Sequence, residues 1–210
     1  MSASPSRRIE PLPLTIAVRA GAVLASQGET GRMLWQVRAG ALWDSVVLPE
    51  GRELALGILG PGDLIGEPDG SPSVSTVRSL RVCHLRTIAP SDAADLLAAR
   101  ARRAASLAAD LAWADVPTRL LARLRDLADR FGRPTAEGTA IGIRLSQDQL
   151  AHLCGSTRET VNRSLRMLVV RGDVRRLGAG RYVVIDRREI ATPLFGRPGV
   201  RRRLDFRPPP

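Results

Sequence analysis

Residues 145–168 contain the signals for two short helices separated by a glycine. Ser146 and Gln149 form the Ser-x-x-Gln pattern of a capping box, which starts a helix by satisfying its first free amide groups. Gly155 suits the turn after this helix, and Thr157 can cap a second one. This arrangement predicts a helix-turn-helix. Its predicted buried positions are Leu150, Leu153, Val161, Leu165 and Leu168.

The second predicted helix carries most of its charged side chains near its N-terminus. Arginine can donate two hydrogen bonds to guanine O6 and N7, and glutamate can accept one from cytosine N4. In a helix-turn-helix, the N-terminal part of the second helix meets base edges in the major groove. The alternative is a solvated helix face with local ion pairs. The polar residues of this face are Arg158, Glu159, Asn162, Arg163 and Arg166.

A β-hairpin is predicted downstream, with strands near residues 174–176 and 181–185 around a turn at residues 178–180. Arg175, Arg176 and Arg181 give this hairpin a basic rim. Such a rim suits contact with DNA phosphates.

The basic charge is concentrated toward the C-terminus. The formal net charge is +11, and arginine supplies all of the positive side chains because the sequence has no lysine. Residues 1–140 hold 17 arginines and 15 acidic residues, whereas residues 141–210 hold 15 arginines and 6 acidic residues. This division predicts a polyanion-binding module attached to a non-binding one. A genome that favours arginine would explain the missing lysine but not the asymmetry.

Before Pro90, glycine interrupts short apolar runs at steps of about ten residues. Turn signals at residues 49–51 and 60–63 strengthen the pattern, which predicts an all-β roll or barrel. No Gly-Lys-Ser/Thr follows these glycines, so they do not predict a phosphate-binding loop. The predicted strands cover residues 33–37, 42–48, 53–59 and 64–65.

A helix of about five turns is predicted after Pro90, with Ser91 as its cap. Its apolar positions recur at steps of three and four, beginning at Ala94, and Arg100, Arg102 and Arg103 leave only a narrow stripe. Such a stripe predicts the seam of a homodimer. The alternative is a single helix packed on its own domain. The predicted dimer contacts are Leu97, Ala101, Ala104, Ala108 and Leu111.

Asp115 and Pro117 mark the start of a further helix, as its cap and as a first-turn residue. Trp113 lies just before this joint, and we expect it to pack at the hinge.

Cysteine and histidine are too scarce for several kinds of site. The sequence has only two cysteines, Cys83 and Cys154, too few for a disulfide framework or an iron–sulfur cluster. It has only two histidines, His84 and His152, too few for a histidine-rich metal site. Cys83-His84 suggests haem or redox sensing, but a core strand of the roll is the preferred interpretation. We therefore expect no metal and no cofactor. Cys154 is expected to be buried where the first helix of the helix-turn-helix meets its neighbours.

Other classes of protein are disfavoured as well. The sequence has no clustered nucleophile and base, so we expect no enzyme. No run approaches the ~18 apolar residues of a membrane span, and the N-terminus lacks the apolar core of a secretory signal. These features predict a cytoplasmic protein that does not contact the membrane.

Three segments resemble the cyclic AMP receptor protein/fumarate–nitrate regulator (CRP/FNR) family of transcription regulators. Residues 155–168, Gly-Ser-Thr-Arg-Glu-Thr-Val-Asn-Arg-Ser-Leu-Arg-Met-Leu, resemble its recognition segment. Residues 111–120 resemble its hinge and following helix, and residues 62–67 the start of its nucleotide-binding cassette. The resemblance implies an α+β homodimer with an N-terminal β-roll, a long dimerisation helix and a C-terminal winged helix-turn-helix. The expected divisions are 1–13 (tail), 14–90 (β-roll), 91–114 (dimerisation helix), 115–190 (winged helix-turn-helix) and 191–210 (basic tail).

The same resemblance implies roles for the recognition segment on double-stranded DNA. Arg158 and Arg163 would read guanines of a TGTGA-like half-site, and Glu159 would accept from a cytosine. Thr157 and Thr160 would contact phosphates. The full predicted DNA-binding set is Arg158, Glu159, Arg163, Thr157, Thr160, Asn162, Ser146, Gln147 and Arg181.

The resemblance weakens at the candidate effector pocket, to which we assign Gly66, Glu67 and Arg78. Members that bind cyclic AMP have a longer cassette with an arginine that pairs with the cyclic phosphate, whereas residues 67–77 are short and contain none. A buried phosphate without a cationic partner is poorly compensated. Such members also place hydroxyl groups near the positions of Ala104 and Ala105.

We therefore expect a sequence-specific regulator of palindromic sites that is independent of cyclic AMP. The alternatives are a regulator switched by cyclic AMP or another ligand, and a nonspecific architectural DNA-binding protein. Residues 133–142 are a positional candidate for contact with RNA polymerase, and residues 197–210 for additional nonspecific DNA affinity.

Overall fold

The computed structural model describes residues 13–31, 33–178 and 180–185. The expected tails at 1–13 and 191–210 therefore lie outside the described residues, except for Pro13. So do residues 186–190 of the expected DNA-binding domain.

The N-terminal part is a β-roll of two four-stranded antiparallel sheets. Its strands are β1 Thr15–Val18, β2 Val23–Ala25, β3 Leu34–Ala39, β4 Leu42–Val47, β5 Glu53–Leu59, β6 Leu64–Ile65, β7 Thr76–Ser79 and β8 Cys83–Ile88. The strand orders are β1-β8-β3-β6 in one sheet and β2-β7-β4-β5 in the other. The predicted strands correspond to β3 to β6, with ends that differ by no more than two residues.

The long helix α1 covers Ala94–Trp113. The expected cap at Ser91 is wrong, because Pro90–Asp92 form a separate 3-10 turn and Ala93 precedes α1 without a side-chain cap. The Ser91 hydroxyl instead lies 3.2 Å from the Asp92 carboxylate.

Helix α2 covers Val116–Phe131 and begins as predicted. The Asp115 carboxylate accepts a hydrogen bond from the Thr118 amide at 3.0 Å, and a proline occupies the first turn. Trp113, however, does not pack at the hinge within the described chain, since 90% of its surface is exposed. The chain turns at residues 115–117, immediately after Trp113, and the indole lies outside the junction of α1 and α2.

The C-terminal part is a winged helix-turn-helix built on a four-stranded antiparallel sheet. Its remaining elements are β9 Gly132–Thr135, β10 Gly138–Ile141, α3 Gln147–Cys154, α4 Arg158–Val170, β11 Val174–Arg176 and β12 Tyr182–Ile185. The strand order is β11-β12-β10-β9. Residues 133–142, the positional candidate for contact with RNA polymerase, lie mostly in the β9–β10 hairpin.

One hydrophobic core crosses the joint between the two parts. It combines Trp43, Ala55 and Ile58 of the β-roll with buried leucines of α2, α3 and α4. Polar contacts surround this core: His152 Nδ1 lies 3.4 Å from Glu53 Oε2, and Arg130 pairs with Asp63. The β-roll therefore packs directly against the helix-turn-helix.

Both cysteines are buried. Cys83 lies in β8, as its preferred interpretation required, and Cys154 ends α3. Burial raises the pKa of the Cys154 thiol to about 12. Within the described residues, no three histidine, cysteine, aspartate or glutamate side chains group to hold a metal ion, and no helix has the length and apolar character to span a membrane.

Candidate nucleic-acid interface

Helix α3 and the turn after it position the recognition helix. Ser146 Oγ accepts from the Gln149 amide at 3.0 Å, and Gln149 Oε1 accepts from the Ser146 amide at 2.9 Å, which completes the predicted capping box. Gly155 then adopts a φ of 55° in the left-handed region, where glycine is favoured. This turn lets α4 start only three residues later, across α3.

Helix α4 divides sharply into a buried and an exposed face. Val161, Leu165 and Leu168 are buried in the joint core. On the opposite side, Arg158 and Glu159 in the first turn and Arg163 in the second are exposed. Burial of the apolar face therefore places these side chains outward, as the sequence pattern predicted.

The predicted threonines serve first as parts of the α4 cap. Thr157 Oγ1 accepts from the Thr160 amide at 3.3 Å and donates to Thr160 Oγ1 at 3.1 Å. Both threonines lie at the N-terminus of the recognition helix, where Thr157 is exposed and Thr160 is half-buried.

Gln147, the first residue of α3, joins the two helices. Its Oε1 lies 3.3 Å from Arg158 Nε and 2.8 Å from Asn162 Nδ2. A more distant charge contact places Arg158 Nη1 3.7 Å from Asp148 Oδ2. The predicted residues Gln147, Arg158 and Asn162 are thus brought into one hydrogen-bonded group.

A basic concavity lies between the β11–β12 hairpin, which is the wing, and the N-terminus of α3. Its lining contains Arg144, Arg158 and Arg176 together with Ser146 and Gln147. The helix N-terminus adds a partial positive charge. Such a surface is suited to phosphate groups. Arg181, which we assigned to DNA, is exposed next to this lining rather than in it.

Arg144 was missed by our sequence reasoning, and Arg176 was assigned only to the rim of the hairpin. Tertiary pairing brings both toward α3: the Leu145 amide donates to the Gly180 carbonyl at 2.9 Å. Gly180 has a φ of 72°, and a Cβ there would lie 2.5 Å from the Leu145 carbonyl oxygen. The close approach therefore requires glycine, and this was the signal available in the sequence.

The predicted effector pocket is present only in part. A cavity of about 250 Å³ in the β-roll is lined by Gly66 and Glu67, with Glu29 nearby in the lining. The prediction that Arg78 lines this pocket is wrong. Arg78 lies on the exposed face of β7, where its guanidinium donates to the Gly21 carbonyl at 3.5 Å. The alternation of β7 buries Val77 and Ser79 instead.

Glu67 already has a cationic partner from α1. Arg100 Nη2 lies 2.8 Å from Glu67 Oε1, and Arg100 Nη1 also donates to the Gly66 carbonyl at 3.2 Å. Neither lysine nor arginine is among the described residues that line the cavity.

The predicted dimer stripe on α1 has two different surroundings. Leu97 packs against the cluster around Leu34 and Leu64, and Leu111 approaches Gly155, so both leucines are half-buried within their own chain. Ala101, Ala104 and Ala108 are exposed. The described chain thus leaves an alanine surface on α1 uncovered.

Comparisons with known proteins agree with this architecture. The cyclic nucleotide-binding domain family matches residues 15–100, and the Crp-like helix-turn-helix domain family matches residues 118–191. The chain is 36% identical over 174 residues to the CRP-like cAMP-activated global transcriptional regulator of Mycobacterium tuberculosis, covering 74% of this chain and 77% of that protein.

Solved structures show the same fold. FixK2 of Bradyrhizobium japonicum superposes with a TM-score of 0.72 at 20% identity, covering 85% of this chain and 95% of FixK2. A CRP/FNR family regulator of Thermus thermophilus superposes with a TM-score of 0.72 at 24% identity, covering 82% of this chain and 94% of that one. A β-roll, a long helix and a DNA-binding winged helix-turn-helix in this order, together with these matches, place the chain in the CRP/FNR family of transcription regulators.

Proposed function

We propose that this regulator binds palindromic TGTGA-like DNA sites as a homodimer and that it does so without cyclic AMP. The observation that carries the proposal is the exposed group Arg158, Glu159 and Arg163 on the first two turns of α4, opposite a fully buried face. These positions are the ones from which a recognition helix reaches base edges.

The chemistry of this group specifies bases. Arg158 and Arg163 each offer two parallel donors for guanine O6 and N7, and Glu159 offers an acceptor for cytosine N4. Arg163 has no acidic partner among the described residues. Its full set of donors is therefore available to DNA.

The surrounding arginines fix the orientation on the phosphate backbone. Arg144 and Arg176 line the basic concavity, and Arg181 is exposed beside it. Ser146 lies in the same lining, and Thr157 and Thr160 lie at the N-terminus of α4, so we assign their hydroxyl groups to phosphate contact. Contacts of this kind supply affinity without sequence information.

The exposed alanines of α1 support the homodimer. Ala101, Ala104 and Ala108 lie on successive turns, and small side chains let two helices approach closely. A two-fold axis parallel to α1 would place the half-buried Leu97 and Leu111 at the two ends of this seam, each opposite the same residue of a second copy. Two recognition helices related by such an axis read a palindromic site. Because the partner is DNA, we place the action of the regulator in the cytoplasm.

Independence from cyclic AMP rests on the charges of the β-roll cavity. Glu67 is neutralised by Arg100, and the described lining offers Glu29 but no cation to a buried phosphate. The M. tuberculosis relative is named as cAMP-activated, so a nucleotide-dependent mode is the alternative to be tested. Residues 133–142 remain our candidate contact for RNA polymerase, and residues 133–137 of this segment are exposed.

The test is fluorescence anisotropy at ~0.15 M salt, because affinity for DNA depends steeply on salt. A duplex of about 26 base pairs with two inverted TGTGA half-sites is compared with a scrambled duplex, with and without cyclic AMP. We expect selective binding without the nucleotide. Selectivity that requires cyclic AMP would contradict the effector proposal, and equal binding to both duplexes would favour an architectural protein.

Arg158→Ala is expected to weaken binding to the selected duplex by about 1–3 kcal/mol and to relax one base preference. Arg52→Ala is the matched control, since it also removes one exposed positive charge but lies in the β4–β5 turn. An equal loss on all sequences would assign Arg158 to phosphate contact instead.

A further inference from the structure

The hydrogen-bonded group at the start of α3 and α4 has a fixed polarity. Arginine has only donors, so the Gln147 atom that meets Arg158 Nε must be the carbonyl oxygen Oε1. The Asn162 atom 2.8 Å from this oxygen must then be the donor Nδ2. One arginine thereby determines the orientation of two amide side chains.

This orientation decides what Asn162 can offer to DNA. One hydrogen of Nδ2 is bound to Gln147, which leaves Oδ1 and the second hydrogen of Nδ2. Oδ1 accepts no hydrogen bond from the described part of the chain. An acceptor beside a donor on one amide edge is the pattern that matches adenine N6 and N7 in the major groove.

Arg158 is constrained in a related way. Its Nε is bound to Gln147, so the two terminal nitrogens remain as the pair that fits guanine O6 and N7. The Asp148 carboxylate is only a distant partner at 3.7 Å, and both side chains of that contact are more than half exposed. Such an exposed pair is weak and can be exchanged for DNA.

We propose that Gln147 is a positioning residue for base specificity: its Oε1 presents Asn162 to adenine and Arg158 to guanine. The inference rests on the proposed function, because it assigns roles within the α4 surface that binds DNA. It differs from a simple phosphate contact, in which Gln147 would donate through Nε2.

The variants separate these two roles. Gln147→Glu keeps an oxygen that accepts from both Arg158 and Asn162, but it loses the Nε2 donor. Gln147→Met has a similar size and removes both functions. Arg176→Ala is the control for a phosphate contact, and it should weaken all sequences alike.

The experiment selects duplexes from a pool with randomised half-sites and measures the enriched ones by anisotropy at fixed salt. We expect Gln147→Met to lower the adenine and guanine preferences about tenfold, measured as the ratio of its affinities for the enriched and the scrambled duplexes. Gln147→Glu should retain the preferences, although its negative charge weakens binding to every sequence. Asn162→Ala should lose the adenine preference alone, which tests the same group through a second variant.

Two results would overturn the inference. Unchanged preferences in Gln147→Met would show that the amide does not position the readers, and equal loss in Gln147→Glu would assign the role to Nε2. A wild-type chain that enriches no motif would instead overturn the proposed function itself, and Gln147 with it.

A spectroscopic measurement on the full chain without DNA checks the group directly. In ¹⁵N spectra, Gln147→Met should shift the Arg158 Nε–H and Asn162 Nδ2 signals, whereas Gln147→Glu should keep both hydrogen-bonded. Signals that do not move in Gln147→Met would also overturn the inference.

Discussion

The joint between the β-roll and the winged helix-turn-helix differs in its charge pairing from the surface that we propose to bind DNA. In the joint, Asp63 pairs with Arg130 of α2 and with Arg103 of the neighbouring α1, and Glu53 Oε2 lies 3.4 Å from His152 Nδ1. On the surface that we propose to bind DNA, Arg163 and Arg176 have no acidic partner among the described residues. Charges that are paired inside the chain hold its parts together, whereas unpaired cations are available to a polyanion.

The largest expected difference between the joint and the proposed DNA-binding surface is the rate at which a thiol reacts with a reagent from solvent. Burial raises the pKa of Cys154 to about 12, so its thiol stays protonated and unreactive at pH 8. We expect Cys154 to react with a thiol reagent at least about a thousandfold more slowly than free cysteine, given the pKa difference.

The matched control is Arg166→Cys, which places a thiol on the exposed side of α4 and should react rapidly. Both native cysteines should react after denaturation in urea. Fast labelling of Cys154 in the folded chain would show that the joint is open to solvent.

Removal of the shared anion should destabilise the joint. Asp63 is buried, accepts from the Gly60 amide at 2.8 Å and pairs with two arginines. Asp63→Ala should lower the free energy of unfolding by about 3 kcal/mol, the low end for breaking a buried pair, because both arginines stay partly exposed.

Urea unfolding followed by circular dichroism measures this loss. Asp126→Ala is the control, since it removes the exposed partner of the same Arg130 and should change stability by less than about 1 kcal/mol. If the two variants lose equal stability, Asp63 is not the centre of the joint.

Acid should weaken the joint by a smaller amount. Burial alone would raise the pKa of Glu53, but hydrogen bonds from Trp43 and Ser45 and the nearby charges of His152 and Arg78 bring it below the ordinary 4.5. Because the folded pKa is lowered, the stabilisation is present above pH 4.5 and is lost as the pH falls through the folded value. Glu53 is partly exposed, so the effect should stay within about 1 kcal/mol.

Trp43 fluorescence can follow this titration, because Trp43 Nε1 donates to Glu53 Oε1 at 2.7 Å. Glu53→Gln should remove the corresponding acid-dependent change. A fluorescence transition that persists in this variant would have to come from another carboxylate.

Local signals predicted much of the fold. The capping box at Ser146, the cap at Asp115 and the turn at Gly155 act within a few residues, so their positions could be derived from sequence spacing. The same applies to α4, where the period of the apolar residues separates the buried face from Arg158 and Arg163. The prediction of Ser91 as a helix cap was wrong, because the same local residues are compatible with a 3-10 turn and with a capped helix start.

The sequence by itself therefore determined the order of the elements and the charged face of α4. Only the tertiary structure decided which distant groups meet: Arg100 with Glu67, Arg130 with Asp63, and the wing with the residue before α3. It also turned Arg78 outward and left Trp113 exposed. The physical reason is that caps and helix periods depend on neighbours in the chain, whereas ion pairs and strand faces depend on register and packing between segments far apart in it.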